Sequence, residues 1–126
     1  MRTKANVVVT WDNEEGESTP IRFVGHPVVL REFMKCMEIH TAKNFDYNGG
    51  DDIDGDPLSN FRGAKEIGIN ELTGLVLRMS DKFGRIKTYI KTGKLAVENE
   101  GVDDAFRDLL IYSALALALR SESISK

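Results

Sequence analysis

From Leu72 to Lys91 the chain reads LTGLVLRMSDKFGRIKTYIK, with apolar residues at 72, 75, 76, 79, 83, 86 and 90. That is the spacing of one face of an α-helix. Arg78, Asp81, Lys82 and Arg85 form a second stripe at the same spacing, so one helix here combines an apolar face with an ionic one. Asn70 is placed to cap its start and Gly93 to stop it after about Lys91. The stretch from Val102 to Leu119, VDDAFRDLLIYSALALAL, predicts another helix, uncharged from Leu109 to Leu119 and apolar over most of its circumference. A helix of that kind is expected between other helices or across a dimer interface.

Earlier in the chain the period changes. Ala5 to Trp11 (ANVVVTW) and Thr19 to Gly25 (TPIRFVG) are rich in β-branched and aromatic residues and flank the polar segment DNEEGES, which contains Gly16. A β-hairpin is predicted. Two strands alone are marginal in water, so the hairpin is expected to pack on the helices or pair across a subunit interface, anchored by Trp11 and Phe23. Pro27 suits the first turn of a helix reaching about Asn44, with Val29, Leu30, Phe33, Met34 and Met37 as its apolar stripe. The glycine- and aspartate-rich FDYNGGDDIDGD at 45–56 reads as a loop, and PLSNFRGAKEIG as a short helix from Pro57 closed by Gly68. The pattern therefore predicts a mainly α protein in one domain, 1–126, with a β-hairpin at 5–25 and a helical core at 27–122.

A chain of 126 residues can bury a core without staples. The net charge of −3 and pI near 5.4, with basic residues interleaved among acidic ones, argue against nucleic acid as partner and leave small anionic ligands open. The single cysteine, Cys36, excludes an internal disulfide framework and suits a reducing compartment. No signal peptide and no apolar run of the ~20 residues a membrane span needs is visible, so a soluble, cytoplasmic protein without a membrane partner is expected.

The candidate chemistry lies on the two long helices. Asp104 and Asp108 are one turn apart, with Tyr112 another turn on, beside the uncharged run. Carboxylates are rarely buried without partners, so the simplest arrangement sets this pair against the ionic stripe of the preceding helix, with or without a metal between them. With Asp103, Asp104 also favours the positive end of its own helix dipole, a purely structural role that Asp108, a turn further in, does not share. Glu38 follows Met34 by one turn, either as the flank of an amphipathic helix or as a further acid, and His40 reads as a surface or packed histidine. Arg78, Lys82 and Arg85 could grip phosphates, and Tyr47 or Phe61 could stack on a base. The aspartates at 52, 54 and 56 approach a calcium loop, but Pro57 stands where that loop needs glycine, and no closing glutamate follows. The segment is a solvated loop or an acidic lid over a metal–nucleotide site. An internal network of Asp81, Arg85, Asp104 and Asp108 without any ligand would leave the same pattern.

Four motifs in order carry a resemblance: KNFDY with Lys43, Asn44, Asp46 and Tyr47; DPLSNF at 56–61; LRMSDKFGR at 77–85; and ENEGVDDAFRDLLIY at 98–112. Together they resemble the phage and prophage family called nucleotide modification associated domain 1, which is distantly similar to the all-α nucleoside triphosphate pyrophosphatases of the MazG and dimeric dUTPase type. The likeness covers about residues 28–119 and leaves out the hairpin. It implies a four-helix-bundle-like core of the all-α NTP pyrophosphatase type, with Mg²⁺ as cofactor held by Glu38, Asp81, Asp104 and Asp108. It implies nucleotide or phosphate contacts from Lys43, Asn44, Asp46, Tyr47, Asn60, Arg78, Lys82, Arg85 and Tyr112. Mg²⁺ suits the wider superfamily because it takes hard oxygen ligands, bridges phosphates and helps water attack phosphorus. This chain lacks the superfamily's Glu-x-x-Glu, and Asp-x-x-x-Asp stands in place of Glu-x-x-Asp. Two functions follow as expectations: a Mg²⁺-dependent pyrophosphohydrolase of (deoxy)nucleoside triphosphates in phage nucleotide metabolism, or a non-enzymatic binder that sequesters a nucleotide or a nucleotide-derived defence signal. A structural partner in an oligomer is a third. In each case at least a homodimer is expected, in the cytoplasm of a host cell if the protein is viral.

Overall fold

Alternation in the first 25 residues becomes a two-stranded antiparallel sheet of β1 (Ala5–Asp12) and β2 (Ser18–Gly25), in register from Ala5 opposite Gly25 to Asp12 opposite Ser18. The register sets Val7 across from Phe23 and Val9 across from Ile21, so these four and Trp11 share one face, while Asn6, Thr10 and Arg22 lie on the other. The turn is held by Asn13, whose Oδ1 accepts from the backbone N–H of Glu15 at 3.0 Å and of Glu17 at 2.9 Å. Gly16 at φ 81° supplies the left-handed residue the turn needs. These coordinates are a computed structural model that describes residues 3–48, 58, 62–94 and 101–125, without the side chains of 46–48 and 123–125.

Helix α1 (Pro27–Asn48) starts where His26 Nδ1 accepts the N–H of Val28 at 3.1 Å, so an imidazole does the work of a capping oxygen. It runs four residues past the end predicted at Asn44, because Phe45 to Asn48 contain nothing that breaks a helix. The chain packs as two compact units, Met1–Glu38 and Ile39–Lys126, with the boundary inside α1.

In the second unit the helix predicted from Pro57 is represented among the described residues by one turn, α2 (Gly63–Glu66), after which Gly68 turns the chain at φ 83°. Helix α3 (Glu71–Thr92) has the predicted ends: Asn70 Oδ1 accepts from the N–H of Leu72 and Thr73, and Gly93, left-handed at φ 76°, donates its N–H to Tyr89 O at 2.7 Å. Helix α4 (Val102–Ser125) returns antiparallel to α3. Leu75 and Ile86 of α3 and Ala105, Ile111, Leu115 and Leu119 of α4 are buried, Leu75 to 1% exposure. Gly74 lets α2 approach, since a Cβ there would lie 3.2 Å from that of Ala64. Within the single chain α3 covers one stripe of α4, and Phe106 and Leu117 on other faces are exposed. The protein is thus mainly helical with an N-terminal two-stranded hairpin, and among the described residues no helix is long and apolar enough to cross a membrane.

Candidate functional site

Three helical segments of the second unit bring charged side chains together around Asp108. Lys82 of α3 places Nζ 3.1 Å from Asp108 Oδ2, and Lys43 of α1 places Nζ 3.7 Å from Oδ1. The pairing follows from helix geometry. Lys82 belongs to the ionic stripe beside the face that packs on α4, and Asp108 lies a turn past Asp104 on the facing helix. The Asp108 side chain is only 19% exposed, so a lone carboxylate there would be poorly hydrated, and two ammonium groups supply what water cannot. Among the described residues the node sets two cations against one anion.

The other predicted site residues among those described lie on α1, α3 and α4. Arg78 and Arg85 fall one turn to either side of Lys82 on α3, Arg85 half-buried and Arg78 exposed. Tyr112, half-buried, follows Asp108 by one turn, and Asn44, half-buried, adjoins Lys43. Asp81 is exposed on α3. Asp104 points outward: its side chain is 62% exposed and its Oδ1 accepts from Arg107 Nη1 of its own helix at 3.0 Å. The two aspartates that the sequence aligns therefore separate, one into the interhelical node and one to solvent. Glu38 is exposed and belongs to the first unit. The backbone of Asp46 and Tyr47 is helical, but their side chains, and Asn60 altogether, lie outside the described residues.

These positions test the fit to Mg²⁺. A Mg²⁺ site needs several hard oxygen ligands converging on one point. Both oxygens of Asp108 instead face ammonium groups, and Asp104 is engaged by a guanidinium. Among the described residues no three His, Cys, Asp or Glu side chains gather into a group that could hold a metal. The donor set suits an anion better than a divalent cation.

A second ionic cluster escaped the reading of the sequence. Arg62, just ahead of α2, donates from Nη1 to Glu71 Oε2 at 3.1 Å and from Nη2 to Glu122 Oε1 at 3.0 Å and Oε2 at 3.1 Å. It ties the first residue of α3 to the last turns of α4. One signal was available: an acid near the C-terminal end of a helix opposes the dipole and calls for a cation. Nothing local in the sequence says that the cation lies sixty residues earlier. Compared with models of known families, with curated proteins and with solved structures, the chain finds no match.

Proposed function

We propose that the chain is a non-enzymatic binder of a phosphate-bearing nucleotide or nucleotide-derived signal, gripped by cations rather than through a catalytic metal. The observation that carries this reading is the Lys43–Asp108–Lys82 node, in which two ammonium groups from different helices converge on one carboxylate. Such a node exchanges its internal anion for an external one: a phosphate takes the place of Asp108 between Lys43 and Lys82, and Arg78 and Arg85 are spaced along α3 to extend the grip. Tyr112 and Asn44 adjoin the node and are placed to contact sugar or base. On this reading the C-terminal part of α1 joins α3 and α4 in a bundle-like core of the type the resemblance implies, and the ligand is sequestered intact.

The decisive experiment is binding of nucleoside triphosphates, measured by calorimetry in excess chelator, followed by chromatography of the recovered ligand. Binding should persist without divalent ions and the ligand should return unchanged. Release of pyrophosphate that requires Mg²⁺ would overturn this reading in favour of the pyrophosphohydrolase. Lys82→Gln should weaken metal-free binding about tenfold, the loss of one charge-assisted contact worth roughly 1.4 kcal/mol.

A further inference from the structure

A cleft of about 340 Å³ opens between the N-terminal end of α3 and the C-terminal end of α4, within the roughly 300–1,000 Å³ typical of small-ligand sites. It is some 14 residues, or about 21 Å, along α4 from Asp108, so it does not depend on the nucleotide reading above. Its walls include three cations, Arg62, Lys65 and Arg120, and two carboxylates, Glu71 and Glu122. We propose that this cleft is a second anion site, built for a dianion of the phosphate-monoester class.

The argument starts from Glu122. Both of its oxygens lie on Arg62 Nη2, at 3.0 and 3.1 Å, so a guanidinium on the cleft wall already holds an internal anion. That carboxylate is displaceable in principle: its side chain is partly exposed, and it sits in the last turns of α4, where the negative end of the helix dipole opposes it. Lys65 and Arg120 are exposed at the cleft, and neither has an ion-pair partner among the described residues. The N-terminal end of α3, capped by Asn70, adds its positive dipole end to the same wall. When Glu122 swings outward, the described walls keep the cations of Arg62, Lys65 and Arg120 beside the one carboxylate of Glu71, a positive wall that favours a dianion. Arg62 then offers the incoming oxygens the donors that Glu122 had occupied, while Glu71 keeps the guanidinium oriented through Nη1. A divalent cation meets the wrong charge in this cleft, and an apolar ligand meets charged walls.

The test uses the full chain labelled with ¹⁵N and inorganic phosphate as the probe, titrated at constant ionic strength. Saturable shifts are expected at the amides of Lys65, Glu71, Arg120 and Glu122. Lys65→Gln combined with Arg120→Gln should abolish them, and Glu122→Gln, which removes the competing carboxylate, should tighten binding about threefold or more. Lys43→Gln with Lys82→Gln, at the other site, should leave these shifts unchanged, so that the two sites fail or stand separately. Absence of saturable shifts at these amides, or their persistence in the Lys65/Arg120 double variant, would overturn the proposal. Because all the substituted side chains of this cleft are exposed or partly exposed, an unchanged remainder of the spectrum shows that the variant is folded.

Discussion

Asp108 has two cationic neighbours in a setting that is neither surface nor core, and this fixes what its substitution should do. Exposed pairs contribute about 0.2–1 kcal/mol each, and breaking a fully buried pair costs about 3–5 kcal/mol. Lys43 and Lys82 keep substantial contact with water, so Asp108→Asn should destabilise the free protein by only about 1 kcal/mol in denaturant unfolding. The same substitution removes the anion that competes with a phosphate, so metal-free nucleotide binding should tighten by roughly fivefold, about 1 kcal/mol of relieved repulsion. A loss of metal-free binding instead would mark Asp108 as a ligand-contacting carboxylate. Asp104 is the control: exposed and paired within its own helix, Asp104→Asn should leave binding within a factor of about two and stability within about 0.5 kcal/mol. In the sequence the two aspartates share a face, one turn apart, and differ only in that Asp104 lies in the first turn of its helix. What separates them is whether a neighbouring helix lies over the position.

Helix α3 was the most legible element, because its signals agree: a seven-position apolar stripe, a capping asparagine and a terminal glycine. Its ends provide direct tests. Asn70→Ala removes the acceptor for two N–H groups and should cost about 1 kcal/mol. Inside the helix, Gly84 has open space where a Cβ would sit and an ordinary helical backbone, so Gly84→Ala should stabilise by about 0.5–1 kcal/mol. Gly74 differs, because a methyl group there meets Ala64, and the close contact offsets the gain in helix propensity. Thermal unfolding of Gly84→Ala and Gly74→Ala side by side should show the first clearly above the second. The end of α1 was less legible. Its last four residues carry no helix-stopping chemistry, and the aspartates and glycines that follow pulled the predicted boundary forward.

Several large apolar side chains lie exposed on the single chain. Val76, Phe83 and Ile90 recur every seven residues on α3, and all three are exposed, as are Phe106 and Leu117 on α4. In the first unit, Trp11 and Phe23 share one face of the hairpin and remain about half exposed or more. The homodimer expected from the sequence would cover such stripes. Sedimentation at micromolar concentration should therefore report a dimer or larger, and Phe83→Asp should shift it toward monomer while leaving the helical signal in circular dichroism unchanged. A wild-type monomer would show that these stripes are not a self-association surface.

Local pattern was sufficient for the hairpin, for the span and caps of α3, and for the mainly helical class, because strand period, helix period and capping depend on residues within a turn or two of each other. It also singled out Lys82 and Asp108 as candidates, since a charge next to an apolar stripe is conspicuous wherever it falls, whereas Lys43 came in only with the resemblance. Tertiary structure alone decided who meets whom. Asp108 turns inward to two lysines while Asp104 turns out to Arg107, and Arg62 reaches across sixty residues to Glu122. Those outcomes depend on how α3 and α4 lie against each other and against the C-terminal part of α1. Helix periodicity places a charge on a face, but only packing sets which charge stands opposite and how much water is left between them.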